Sequence, residues 1–199
     1  MKLIFKGRYN GTIDDFTDRI NVKNAVKYEE AENTEELTKL LKKPQNILGF
    51  LLLFITVFIS TKYISNALIL LLSFFGSYIL SLLFLIPHEL LHAICFKGKV
   101  YLYYNTKPLM MFVVGEDYMS KFHFIFLSLL PNIVLGFIPF IVFLIKPILC
   151  WVSFISVFNI VAGIGDYYNV YNTIMQVPKG AKIFMKGEST YFYMPKNEA

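Results

Sequence analysis

The stretch IPHELLHAIC, Ile86 to Cys95, places His88, Glu89 and His92 at the end of one of the most apolar segments of the chain. On a helix, residues four apart share a face, so the two imidazoles can reach one metal ion. Glu89 falls about 100° further round. It lies beside such an ion, where it can take a proton from a metal-bound water. Zinc suits this donor set: it accepts two histidine nitrogens and one carboxylate and keeps a fourth position for water. Titratable groups within a membrane span are costly and usually functional, and the chain has only three histidines.

Two histidines and a base need a third ligand. Across residues 46–96 and 121–171 the only acidic side chains are Glu89 and Asp166. If the two lie at the ends of spans that finish on the same side of the membrane, they share a depth. Gly163 and Gly165 just before Asp166 would allow helices to approach closely. Rival ligands are His123, at the start of the third apolar span, and Glu116 or Asp117 in the loop before it. Asn159 lies two helical turns before Asp166. There it can donate a hydrogen bond to a substrate carbonyl or a developing oxyanion, or simply hold helices together.

These residues need helices in lipid to carry them. Hydrophobic residues make up 56% of the 199, and they concentrate in Asn46–Phe96 and Phe122–Ile164. This is the pattern of a small polytopic membrane protein. The opening MKLIFKGRYNGTIDD lacks a long apolar region and a cleavage site, so the first span is expected to act as an uncleaved anchor. The net charge of +5 flanks the spans instead of forming one patch, which argues against nucleic acid. Two cysteines, Cys95 and Cys150, at opposite membrane faces are too few for a disulfide framework.

The expected fold is mainly α, with about four transmembrane helices and a short β-hairpin after the second. Residues 1–45 form a cytoplasmic N-terminal segment, residues 46–175 a transmembrane zinc-site domain, and residues 176–199 a cytoplasmic tail. The first segment contains a strand and a turn at Asn10-Gly11. A short helix over Thr34–Lys43 follows, with Thr34 as its cap and Pro44 separating it from the membrane part. Spans are placed at about 46–65, 66–96, 122–145 and 148–166. The second is 31 residues long, roughly 46 Å as helix against a hydrocarbon core of about 30 Å, so it must tilt or bend, with Pro87 as the bend. VYLYY (Val100–Tyr104) and LMMFVV (Leu109–Val114), with Asn105-Thr106-Lys107-Pro108 between, form the hairpin over about 100–114. VPKGAKIF suggests a turn and a further strand.

Orientation follows from the lysines and arginines. Residues 1–45, 97–121 and 176–199 hold nine, four and four, whereas the other two connections hold only Lys62 and Lys146. That bias puts both termini in the cytoplasm and His88–His92 near the inner face. Trp151 then belongs to the outer interface, and Tyr101, Tyr103, Tyr104, Tyr167, Tyr168 and Tyr171 to an inner aromatic belt.

PHELLHAICF, a tyrosine-rich loop, LSLLPNIVLG and GIGDYYNVYNTIMQVPKGAKI together resemble the small bacterial membrane proteins classed as putative zincin peptidases. The resemblance extends to NAVKYEEAENTEEL before the first span. More distantly, HExxH in one span with an asparagine and a later aspartate in another is similar to the site-2 group of intramembrane metalloproteases. That group carries an Asn-x-x-Pro…Asp-Gly block; here no proline separates Asn159 from Asp166, and Tyr167 follows the aspartate. The resemblance implies a Zn2+ site of His88, His92 and Asp166 with Glu89 as base, in a bacterial cell membrane. A membrane-embedded metallopeptidase would hydrolyse a peptide bond of a peptide or membrane protein near the cytoplasmic leaflet. The alternative is a non-catalytic metal-dependent scaffold or a small ion or proton transporter, which has no evident use for Glu89.

Overall fold

The protein is described by a computed structural model that covers residues 1–9, 22, 24–106, 109–186 and 189–195. The turn expected at Asn10-Gly11, and Lys107-Pro108 of the hairpin turn, lie outside the described residues. The fold is mainly helical: α1 (Thr34–Ser60), α2 (Ala67–Leu83), α3 (Leu85–Ala93), α4 (Lys121–Pro131), α5 (Ile138–Ile145), α6 (Cys150–Ala162) and α7 (Ile164–Gln176). A π-helical segment, Asn132–Phe137, joins α4 to α5. The strands are β1 (Lys2–Arg8), β2 (Val26–Lys27), β3 (Lys99–Thr106), β4 (Leu109–Gly115), β5 (Met119–Ser120), β6 (Lys182–Lys186) and β7 (Ser189–Tyr193).

Among the described residues, two stretches, Glu35–Ser60 and Lys121–Ile145, are helices long and apolar enough to cross a membrane. Two bent pairs, α2 with α3 at 41° and α6 with α7 at 47°, bring the number to four if each pair is one span. The first bend sits at Phe84, three residues before Pro87. Pro87 has no N–H for the carbonyl of Leu83 and its ring crowds that carbonyl, so the helix breaks one turn ahead of the proline. The second bend sits at Gly163. The apolar periodicity ends there, and the helix resumes as the more polar α7 and runs on to Gln176.

Pro44 does not separate a short helix from the first span: α1 runs unbroken from Thr34 to Ser60 with Pro44 inside it. Pro44 leaves only the Leu40 carbonyl without its helical donor, and Leu40 is exposed. Gln45 Nε2 donates to the Val161 carbonyl at 3.2 Å just beyond that position. The N-cap is Asn33, one residue before the expected Thr34, and its side chain accepts from the Glu36 N–H at 3.0 Å.

The chain divides into two compact units. One comprises Ala31–His88 and Leu130–Tyr167 and is helical. Its interior holds Phe140, Phe143, Val157 and Ile160, with a second cluster at Ile64, Cys150 and Phe154. Small polar groups bond across its helices, as Thr56 and Ser153 do at 2.7 Å. Large apolar side chains such as Phe50, Leu72, Ile79 and Ile145 face outward, as lipid-facing residues would.

The other unit comprises Met1–Glu30, Glu89–Leu129 and Tyr168–Ala199 and holds both sheets. In the first, of order β1-β3-β4, β1 runs parallel to β3 and β3 antiparallel to β4 with Tyr103 opposite Phe112. The second has the order β2-β7-β6-β5. Gly180, at φ +89, makes the left-handed turn into β6 that VPKGAKIF suggested. Tyr101 and Tyr103 are buried among Val114 and Phe184 instead of forming an interfacial belt. The alternation of a strand turns them to the sheet's packed face. Glu30 accepts the Thr190 N–H at 2.7 Å, and burial pushes its carboxyl above the ordinary range. Beside it, burial pushes the Tyr28 hydroxyl up to about 12.

Candidate metal centre

The short helix α3 carries the motif. One ligand atom each from His88, Glu89 and His92 lies within 4.8 Å of the others. Glu89 and His92 are 8% and 7% exposed, so the group is shielded from bulk solvent. His92 Nδ1 is 2.9 Å from the Leu127 carbonyl. A carbonyl can only accept, so Nδ1 carries the proton and Nε2 keeps a lone pair for a metal. A backbone carbonyl on the far nitrogen is a recurrent way of fixing a metal-binding histidine.

His88 also reaches an acidic side chain distant in sequence. Its Nε2 lies 3.2 Å from Oδ2 of Asp166, in the first turn of α7. Asp166 is held in turn by Asn132, whose Nδ2 donates to the same Oδ2 at 2.7 Å. Tyr167 donates its hydroxyl to Asn132 Oδ1 at 3.1 Å. Asn132 is 0% exposed and opens the π-helical segment, where the wider turn re-aims side chains. Gly163 makes room for it: a Cβ there would overlap the Asn132 carboxamide.

This donor set can be tested against zinc by spacing. Two ligand atoms at about 2.0–2.1 Å from a tetrahedral ion stand about 3.3 Å apart. The 3.2 Å between His88 Nε2 and Asp166 Oδ2 is close to that spacing and is equally that of a direct hydrogen bond or ion pair, while the group whose ligand atoms all lie within 4.8 Å is His88, Glu89 and His92.

A family model described as "Putative zincin peptidase" matches residues 81–182, just over half of the chain. The chain belongs to that family. The zincin peptidase match spans α3, the hairpin and α7, and so takes in His88, Glu89, His92 and Asp166. No curated protein and no solved structure matches the chain.

The other candidates in this zincin family member have protein partners. His123 Nε2 meets the Cys95 carbonyl at 2.8 Å. Glu116 accepts the Tyr101 hydroxyl at 2.6 Å, and Asp117 accepts the Gly98 N–H at 3.1 Å. Asn159 is buried, and its Nδ2 donates back to Ile155 at 2.9 Å, within its own helix. Sequence reading did not single out Asn132. Its signal was available: a polar side chain directly after Pro131 in an otherwise apolar span.

Proposed function

We propose that the protein is a membrane-embedded zinc metallopeptidase with His88, His92 and Asp166 as ligands and Glu89 as general base. The observation that carries this reading is the 3.2 Å approach of His88 Nε2 to Asp166 Oδ2, two groups 78 residues apart in sequence. His123, Glu116 and Asp117 bond to groups outside His88–His92, whereas Asp166 contacts His88 itself, which supports Asp166 over its rivals.

When bound, zinc would act as a Lewis acid on the scissile carbonyl and acidify the attacking water. Glu89 takes the proton from that water as its oxygen attacks the carbonyl carbon. It then delivers the proton to the amide nitrogen as the C–N bond breaks. Asn132 fixes the Asp166 carboxylate. Asn159 would exchange the Ile155 carbonyl for the oxygen that gains charge in the transition state. In the fullest form of this reading each bent pair is one span, both termini are cytoplasmic, and hydrolysis occurs near the cytoplasmic leaflet.

The substrate class is a peptide segment or membrane protein that can become extended. A helical peptide bond is shielded by its own hydrogen bonds, so the segment must unwind and its backbone must find new partners. Within the three-stranded sheet β3 is central, and β4 has no second strand beside it among the described residues. That edge can take an extended peptide as a further strand.

A non-catalytic metal site is the second reading. It is favoured by Glu89 lying close enough to both histidines to be a ligand itself. The Glu89→Gln variant separates the two. As a base, its loss leaves zinc content intact and lowers hydrolysis by about 10²–10⁴-fold. As a ligand, its loss depletes the zinc. Zinc is measured on purified full-length protein, and hydrolysis by comparing processed membrane proteins from cells with wild-type or Glu89→Gln protein. Processing that continues unchanged in the variant would refute the catalytic assignment.

A further inference from the structure

The stretch VPKGAKIF and the start of α4 meet in an open cleft of about 610 Å³ that the peptidase reading does not use. Lys121, Lys179 and Lys182 line it, with Ser120, Phe122 and Ile125, and no acidic side chain does. The three ammonium groups are not equivalent. Lys121 Nζ is committed to the carbonyls of Ile174 and Val177 at 3.0 and 2.6 Å, where α7 ends and the chain leaves it. Lys179 and Lys182 have no such partner among the described residues, and Lys179 is exposed.

The apolar side of the cleft continues in a defined direction. Phe122, Ile125, Phe126 and Leu129 follow a helical i, i+3, i+4, i+7 spacing along α4, so they share one face. Phe122, at the lip of the cleft, is 79% exposed, and Phe126 is exposed one turn on. Lys121 begins the Lys121–Ile145 helix that is long and apolar enough to cross a membrane. A cationic cleft at the end of such a helix lies at headgroup depth. The apolar stripe leading away from it lies at the depth of the acyl chains.

We propose that this cleft binds an anionic phospholipid. Lys179 and Lys182 would hold the headgroup phosphate, and Phe122, Ile125 and Phe126 would support the first part of an acyl chain. The combination selects a lipid over a free anion, because a soluble phosphate would use the lysines and leave the stripe uncovered. It selects an anionic lipid over a zwitterionic one, because nothing lining the cleft offers a negative charge to a choline. The inference does not rest on the zinc site.

The test uses the full-length protein in phosphatidylcholine nanodiscs with and without a small fraction of phosphatidylglycerol, read by native mass spectrometry of retained lipid. A lysine near the surface is worth about fivefold in anionic-lipid binding, so Lys179→Gln with Lys182→Gln should lower phosphatidylglycerol retention about 25-fold. Lys179→Gln alone should lower it about fivefold, which covers the case in which the strand residue Lys182 does not tolerate the change. Lys62→Gln with Lys146→Gln, which removes equal charge elsewhere, should leave retention as in wild type. Phe122→Ser should lower retention with the charges intact. Retention that is equal for both lipids in wild type would overturn the proposal. So would an equal loss in both lysine pairs, or displacement of the lipid by inorganic phosphate with Phe122→Ser behaving as wild type, which would make the ligand a soluble anion.

Discussion

Replacing Asn132 by leucine tests whether its hydrogen bonds hold Asp166, the proposed third ligand, in place. The substitution keeps the branched shape, with somewhat larger end groups, and removes both hydrogen bonds: the donation to Asp166 at 2.7 Å and the acceptance from Tyr167 at 3.1 Å. A hydrogen bond to a charged group is worth about 1.5–3 kcal/mol, and leaving the Tyr167 hydroxyl unpaired adds about 1 kcal/mol. The helical unit should therefore lose about 2.5–4 kcal/mol. Zinc affinity should fall about 10–100-fold, as it does when a ligand's supporting partner is removed. Chelator competition on purified protein measures the affinity, and thermal unfolding without zinc measures the stability. Gly163→Ala should produce a similar loss by displacing the Asn132 side chain. The double variant Asn132→Ala with Gly163→Ala should lose less than the sum, since the new methyl fills space that the asparagine vacated. Unchanged zinc affinity in Asn132→Leu, or strict additivity in the double variant, would refute the reasoning.

The β4 edge is tested by placing proline at Phe112 and at Val113 in turn. Neighbouring N–H groups of a strand point to opposite sides, so one proline should spare the pairing with β3 yet abolish processing of an extended substrate. Processing at the wild-type rate in both would remove β4 as the docking strand. Glu30 makes stability pH-dependent. Its carboxyl is raised above 4.5 by burial, so the folded state holds the proton more tightly than the unfolded chain does. The stabilisation is complete below the unfolded value and is lost as pH rises through the raised one. Glu30→Gln keeps the acceptor for Thr190 and should flatten that part of the curve of melting temperature against pH; an unaltered slope would assign it to another group. Orientation is checked by labelling Lys62→Cys and Lys146→Cys, both expected to react from outside the cell, and labelling of residues 97–106 from outside would reverse the arrangement.

What sequence reading recovered here follows from the range of the physics involved. The motif on α3 and the helices were visible because a helix's hydrogen bonds and its hydropathy are local. The bend near Pro87 could be anticipated for the same reason, although it falls at Phe84, where the missing donor takes effect; the bend at Gly163 was not, because the glycines there read only as points of close helix approach. Pro44 misled because proline reads as a terminator only where water or a short segment gives the helix no other support. Tyr101 and Tyr103 misled because an interfacial tyrosine and a packed strand tyrosine have the same composition signal; only the pairing of β3 on both sides separates them. That pairing joins residues nearly a hundred positions apart, which no window reads. Asn132 gives no charge signal, because it does not ionise itself but hydrogen-bonds a group that does.

The parallel pairing of β1 with β3 and the antiparallel pairing of β2 with β7 also dictate an order of assembly during translation. At about 5–20 residues per second, Lys2–Arg8 leaves the ribosome several seconds before Lys99–Thr106 exists to receive it. Val26–Lys27 waits longer still, for Phe192 and Tyr191. Through that interval α1 and α2 are already emerging, while the early strand remains an unpaired edge. Lys2, Lys6 and Arg8 give it the charge that keeps such an edge from pairing with other chains. The unit that carries Glu89 and His92 thus closes only after β7 has been made, and a nascent chain holds the HELLH helix for much of its synthesis without a finished sheet beside it.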